Sequence, residues 1–177
     1  MAFASPDKNI AQFVLSPGMR VADFGAGAGY YSIAALDAVG DTGEVYVIDI
    51  QPELLTNAKS LDPYNRSNLH FIRGDIEAEN GSTLTTGIAD AVIISNVLFQ
   101  VENPEAVATE AYRVLAPNGR VMAIDWSDSF GGIGPAPEHV YPKAEAITAF
   151  ESAGFSVQRE FDAGEHHWGI IFTKRHG

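Results

Sequence analysis

Val21-Ala22-Asp23-Phe24-Gly25-Ala26-Gly27-Ala28-Gly29-Tyr30 decides the reading of this chain. A short apolar run carries one acid, then breaks into glycines at alternate positions. The run reads as a buried strand, and the residues after Gly29 have helical spacing, so the stretch is a strand, a turn and a helix. Glycines at 25, 27 and 29 let the backbone bend sharply and approach a ligand closely. The helix that follows aims its free N–H groups at the same place. Twenty residues beyond Gly29, a second apolar strand, Val45-Tyr46-Val47-Ile48-Asp49, ends in a carboxylate. That layout suits a nucleoside-bearing ligand lying across the ends of two parallel strands.

The same alternation continues outward. Ser5-Pro6-Asp7 reads as a helix start with a Ser cap, Ile10, Phe13 and Val14 give that helix an apolar stripe, and Ser16-Pro17-Gly18 stops it. A strand over 20–24 leads to a helix over 29–39, with Ile33, Leu36 and Val39 inward and Gly40 past its end. Strand 44–50 precedes a helix that begins at Pro52-Glu53, and strand 69–73 ends at Gly74-Asp75. Strand 91–95 precedes a helix opened by Asn103-Pro104-Glu105, and Pro117-Asn118-Gly119 turns into strand 120–126. A helix over 142–153 ends at Gly154, and strands 155–162 and 166–174 close the chain. Only Ala163-Gly164-Glu165 separates those two strands, too short for a crossover, so they form an antiparallel hairpin. The expected fold is α/β: a Rossmann-like three-layer α/β/α sandwich, with a seven-stranded, mostly parallel sheet and an antiparallel C-terminal hairpin strand. No repeat or linker divides it, so residues 1–177 read as a single domain with a short N-terminal cap helix over 1–16. The long Gly- and Pro-containing stretch 127–141 has the length of a functional lid.

Composition narrows the partners. At 177 residues and 46% hydrophobic content, the chain can fill one core. No run approaches the roughly 18 apolar residues of a membrane span. Met1-Ala2-Phe3-Ala4-Ser5-Pro6-Asp7 lacks the basic and apolar regions of a leader, so a cytoplasmic location is expected. The absence of cysteine rules out disulfides, cysteine–zinc sites and thiol nucleophiles. The formal net charge is -12, and the basic residues are scattered apart from Lys174-Arg175-His176, which argues against nucleic acid. No metal site is expected. His166 and His167, read on one strand, point to opposite faces, and His70 sits beside Phe71 and Ile72 as a structural residue. Nothing in the pattern fixes an oligomeric state.

The ligand follows from two departures. A dinucleotide prefers G-x-G-x-x-G/A, and Tyr30 stands where the third small residue belongs. Asp23 would also repel a pyrophosphate, whereas it suits a ligand with an ammonium and a sulfonium. S-adenosylmethionine is therefore favoured. Asp49 can accept both ribose hydroxyls, Ile50 can pack on adenine, Asp75 can accept from the adenine amino group, and Ile76 can cover the other face. Singly, each has a plainer role as a tight turn, a solvated strand end or a turn acid. Three carboxylates at three successive strand ends on one rim favour a ligand.

These residues carry a resemblance to the class I S-adenosylmethionine-dependent methyltransferases over nearly the whole chain. Asp23-Phe24-Gly25-Ala26-Gly27-Ala28-Gly29 resembles the family's first motif, Asp49 the acidic second, Gly74-Asp75-Ile76 the third, and the segment from Ala89 to Asn96 the fourth. The segment from Glu110 to Arg120 is similar to the helix–turn–strand that follows, and the family inserts an antiparallel last strand between its neighbours. The subgroup it most resembles is the small-molecule type, like the ubiquinone/menaquinone-biosynthesis methyltransferases. The resemblance implies that Asp23 sits near the methionine end, which Gly25, Ala26 and Gly27 wrap, with Gly29 in the same loop. It further implies that Asp49 holds the ribose, that Asp75 and Ile76 hold adenine, and that Ser95 and Asn96 lie beside the methionine moiety and the transferred methyl.

Methyl transfer from a sulfonium is an in-line displacement, so the protein mainly aligns the nucleophile and excludes water. A base is needed only for a protonated nucleophile. His139 and Tyr141, in the long loop after the fifth strand, are the candidates, against the plainer view of exposed loop residues. Trp126 and Phe130 read as an acceptor-pocket wall or as plain core. Asn96-Val97-Leu98-Phe99 differs from the Asn-Pro-Pro-Tyr/Phe of enzymes that methylate base amino groups. Arsenite methyltransferases hold arsenic with thiols, which this chain lacks, and no Ser/Thr-rich N-terminal segment of the isoaspartate-repair type is present. A small organic acceptor, methylated on carbon or oxygen, is the expectation. A non-catalytic binding module and a nicotinamide-dependent oxidoreductase are the alternatives, the second opposed by Tyr30 and by the lack of a Tyr-x-x-x-Lys pair.

Overall fold

Val21, Ala22 and Phe24 are fully buried because β1 (Arg20–Phe24) lies in the middle of a seven-stranded sheet, where neither face meets water. The structure, a computed structural model, describes residues 4–175; Met1, Ala2, Phe3 and His176, quoted above, lie outside the described residues. After α1 (Pro6–Phe13) and β1 come α2 (Tyr30–Val39), β2 (Glu44–Asp49), α3 (Pro52–Ser60), β3 (Leu69–Arg73) and β4 (Ala89–Ser95). α4 (Pro104–Val114), β5 (Leu115–Trp126), α5 (Lys143–Ser152), β6 (Phe155–Asp162) and β7 (His167–Lys174) complete the chain. The sheet order is β3-β2-β1-β4-β5-β7-β6, and β7 alone runs antiparallel, between β5 and β6. This is the Rossmann-like sandwich and the inserted last strand that the sequence led us to expect.

Strand alternation sorts the two cores. Val21, Val47, Ile93, Ile124 and Ile171 face one side, where Phe13, Leu36 and Leu55 of α1, α2 and α3 cover them. Phe24, Ile48, Ile94, Ala123 and Phe172 face the other, under Val107 and Ala111 of α4 and Phe150 of α5. The rings of Phe150 and Phe172 stack at 4.6 Å. Strand order reverses between β1 and β4, which opens a crevice at their carboxyl ends.

Local signals held unevenly. Gly40 caps α2, donating to the Leu36 carbonyl at 3.0 Å, and the Asn103 side chain accepts from Ala106 at 3.0 Å. Ser5 stands at the N-cap of α1 but makes no side-chain cap bond, so Pro6 carries that start. α1 stops at Phe13 because Val14 turns left-handed (φ 57°), before the Ser-Pro-Gly signal; Val14 is 63% exposed and leaves the stripe to Ile10 and Phe13. Pro117-Asn118-Gly119 bulges within β5, which already pairs with Ala89 at Leu115 and resumes at Arg120. His70 is half-exposed, stacked on Tyr46 and paired with Glu44.

A buried ionic knot ties α4 to the segment after β3. The Glu110 carboxylate accepts from the Ser82 amide (3.1 Å) and hydroxyl (2.5 Å) and from Arg113 Nη2 (2.7 Å) and Nε (2.8 Å). Burial opposes its ionisation, but Arg113 and Ser82 outweigh burial and hold the carboxyl below its ordinary range. Glu110→Ala takes the carboxylate from Arg113, which keeps only its neutral partners Leu84 O, Thr86 Oγ1 and Ser82 Oγ, and the expected cost is about 3 kcal/mol by urea unfolding. A cost under about 0.5 kcal/mol would mean that water already screens the knot.

Candidate active site

Four strand ends build one cavity of about 270 Å³ at the crevice. Gly25 and Gly27 follow β1, while Asp49 ends β2 and Ile50, Gln51 and Leu54 follow it. Gly74, Asp75, Ile76 and Glu77 follow β3, and Val97, Gln100 and Val101 follow β4.

The three glycines of the bend are all left-handed, and they are glycines for two different reasons. A Cβ on Gly25 would lie 2.6 Å from Val97 Cγ2, and one on Gly29 would lie 2.6 Å from Ala58 Cβ. Both residues are small because other parts of the fold press on them. A Cβ on Gly27 (φ 55°) would meet nothing nearer than the Gly25 carbonyl at 4.0 Å, so this glycine leaves open space beside the cavity. Tyr30 points outward, 63% exposed, and the close helix packing at the bend falls to Gly29 against α3. Gly74 is a packing glycine, since its Cβ would strike the Gly81 carbonyl at 2.5 Å.

Asp49 joins the two edges of the cavity. Its Oδ2 accepts the Gly27 amide and its Oδ1 the Gln51 amide, both at 2.9 Å. Each oxygen keeps a lone pair for a hydroxyl donor from a ligand. Beside it Ile50 is 53% exposed, an apolar surface awaiting cover, while Ile76 is buried. Asp75 is exposed and accepts the Glu77 amide at 3.0 Å, which makes it a turn residue as well as a cavity residue.

At the end of β4, Ser95 Oγ and Asn96 Oδ1 are buried without a hydrogen-bond partner. Asn96 is held left-handed (φ 56°), its amide donating to the Ile124 carbonyl at 2.8 Å. Asp23 is buried under α2 rather than lining the cavity, and accepts from Ser32 Oγ at 2.6 Å. Burial pushes its carboxyl up to about 7 against the Ser32 hydrogen bond, with the charge of Asp49 adding to the rise. The Tyr31 hydroxyl accepts from Asn9 at 2.8 Å and lies toward Ser95, yet no hydrogen bond closes onto Ser95 Oγ.

Asp23 titrates higher folded than unfolded, so the folded chain holds a proton that the unfolded chain has released. The stability this lends is complete below the ordinary pKa of 3.8 and is lost as pH rises through about 7. Asp23→Asn removes that decline. Between pH 4 and pH 8 the wild type is expected to lose on the order of 3 kcal/mol more than the variant in urea unfolding. Parallel pH profiles would contradict the buried proton.

Other candidates stand apart from the cavity. Ala26 lies in the bend, its amide donating to the Ile48 carbonyl at 3.0 Å. His139 is exposed on a single 3-10 turn. Tyr141 is partly buried, its hydroxyl pushed up to about 12 by burial and by Glu145, Glu105 and Asp125, which makes it a poor base. His166 lies in the hairpin turn (φ 63°) instead of on the strand; it meets Asp128 at 2.7 Å and stacks on Phe130 at 4.1 Å, pinning the 127–141 segment.

Sequence reasoning passed over Leu54, in the first turn of α3, and Gln51, Glu77, Val97, Gln100 and Val101, which reach the cavity from loops without periodicity. It also passed over Asp125. That carboxylate is fully buried and accepts from the amides of Trp126 (2.8 Å) and Phe99 (3.2 Å), fastening the segment after β4; burial pushes it up to about 6. An acid inside the apolar run 120–126 repeats the pattern of Asp23 in β1 and was a usable signal.

The geometry has close relatives. A solved S-adenosylmethionine-dependent methyltransferase from Aquifex aeolicus superposes with a TM-score of 0.87 at 28% identity, covering 98% of this chain and 91% of that one. Residues 15–164 match the methyltransferase domain family, and the chain belongs to that family. An arsenite methyltransferase of Halobacterium salinarum is 29% identical over 81% of this chain and 35% of its own length. The ubiquinone/menaquinone biosynthesis C-methyltransferase UbiE of Coxiella burnetii is 30% identical over 68% of this chain and 48% of its own length. The matches thus span a third to a half of these curated relatives. S-adenosylmethionine is the cofactor the family implies, and the residues fit it. The unpartnered Asn96 Oδ1 suits a cationic end, Asp49 suits hydroxyls, and the space at Gly27 admits close approach, whereas Asp23 lies behind the cavity on Ser32.

Proposed function

We propose that this chain transfers a methyl group from S-adenosylmethionine to a small organic acceptor, on oxygen or carbon. The observation that carries the reading is the meeting of Asp49 and the open bend at Gly27 in one crevice, with buried, unpartnered polar atoms of Ser95 and Asn96 at the end of the neighbouring β4. The cofactor supplies an activated methyl on a positively charged sulfur. Asp49 then holds the ribose, Ile50 and Ile76 sandwich adenine, Asp75 accepts from its amino group, and Gly74 keeps the turn before it tight. The bend from Gly25 through Ala26 and Gly27 to Gly29 carries the methionine end, with Asp23, Ser95 and Asn96 nearby. Cover from the 127–141 segment excludes water while the acceptor is aligned.

The strongly acidic surface favours a small molecule over nucleic acid. The absence of cysteine speaks against a thiophilic metalloid acceptor, despite the likeness to an arsenite enzyme. The test has two arms. S-adenosylhomocysteine is expected to raise the melting temperature and NAD to leave it unchanged, because only a ligand of the folded state stabilises it. Labelled methyl groups are expected to move from cofactor into a low-molecular-mass extract. Binding without transfer across several extracts would favour a module that holds cofactor and does no chemistry.

A further inference from the structure

Among the described residues, three buried side-chain atoms lack a hydrogen-bond partner: Ser95 Oγ, Asn96 Oδ1 and His167 Nε2. All three lie on one rim of the sheet. Ser95 ends β4 and pairs with Ile124; two residues on, Trp126 ends β5 and pairs with His167. Because β7 is antiparallel, its first residue sits where the other strands finish. Ile93, Ile124 and Ile171 face α1, α2 and α3, so the period of two puts Ser95, Trp126 and His167 on that face as well.

The His167 ring has a defined polarity. Its Nδ1 lies 2.8 Å from the Glu165 carbonyl. A carbonyl only accepts, so Nδ1 carries the proton, and the neutral ring presents a bare lone pair at Nε2. Burial lowers the pKa and keeps the ring neutral, with the repulsion of His166 adding to it. The ring lies 4.3 Å from that of Trp126, whose other neighbours include Gly134 of the 127–141 segment. A buried acceptor without a donor is costly, so a group that persists in that state is fitted to a donor from elsewhere.

We propose that His167 Nε2 receives the hydrogen of a protic methyl acceptor, an O–H or N–H nucleophile bound beneath the 127–141 segment. This rests on the methyl-transfer reading and narrows its substrate class. In the step, the acceptor's O–H bond breaks and its proton passes to Nε2. The oxygen's electron pair forms the new bond to the methyl carbon. The methyl–sulfur bond breaks with its pair left on sulfur, which becomes a neutral thioether. His167 then returns the proton to water.

The test uses the full chain, labelled with 15N-histidine and saturated with S-adenosylhomocysteine. Phenol is the probe, and anisole, the same ring without the O–H, is the control. The His167 Nε2 resonance is expected to move saturably with phenol and to stay in place with anisole. His167→Gln is expected to weaken phenol binding at least about tenfold, to leave S-adenosylhomocysteine affinity unchanged, and to slow labelled transfer into extract about 100-fold. A resonance that phenol leaves in place, or that anisole moves equally, overturns the role of His167 while cofactor binding still stands. Failure of the wild type to bind S-adenosylhomocysteine would instead remove the methyl-transfer reading, and this one with it.

Discussion

Gly27→Val is expected to abolish S-adenosylhomocysteine binding while the chain still unfolds cooperatively. Gly27 is the one glycine of the bend whose missing side chain leaves open space, so a valine there projects into room that the ligand needs. The residue is also left-handed, a conformation that a β-branched side chain resists at a cost of about 1–3 kcal/mol. Calorimetric titration should show no heat up to millimolar ligand, with the melting temperature lowered by several degrees and no more. Gly29→Val separates the two effects. Its Cβ collides with Ala58, so that variant should lose far more stability. Intact binding by Gly27→Val would show that the bend does not touch the cofactor.

Asp49→Ala should weaken S-adenosylhomocysteine binding by about 1.5–3 kcal/mol, or roughly 10- to 150-fold in Kd. Two losses combine. The ribose loses its charged acceptor, and the amides of Gly27 and Gln51 lose the carboxylate that holds both sides of the cavity in register. Asp49→Asn keeps one carbonyl oxygen and should fall between wild type and alanine. An unchanged Kd in both variants would contradict the ribose assignment.

What was legible in the chain follows from which forces are local. Strands buried on both faces are apolar runs, so β1, β2 and β4 stand out, and the short link 163–166 fixes β7 as antiparallel to β6. Asp49 ends β2 and Asp75 stands two residues past β3, which made that part of the rim visible, while Asp23, one residue inside β1, is buried under α2. Other features depend on distant partners. Val14 turns left-handed where its carbonyl takes a hydrogen bond from Arg120, more than a hundred residues away. Ser5 has the right type and position for a cap yet makes no such bond. Gln51, Val97 and Gln100 come to the cavity from irregular loops, where spacing carries no information. His167 was read as a core or surface residue opposite His166, because its significance lies in what surrounds Nε2 rather than in its neighbours along the chain.

The single reversed strand divides the labour of the rim. Six strands deliver their last residues there, whereas β7 delivers its first, directly out of the turn at 163–166. Lengthening or shortening that hairpin tip re-aims His167 and slackens the His166 pin on the 127–141 segment, yet leaves β1, β2 and β3 untouched. On the proposed reading, the part of the rim that meets the acceptor can therefore be retuned while the part proposed to hold the methyl donor stays unaltered.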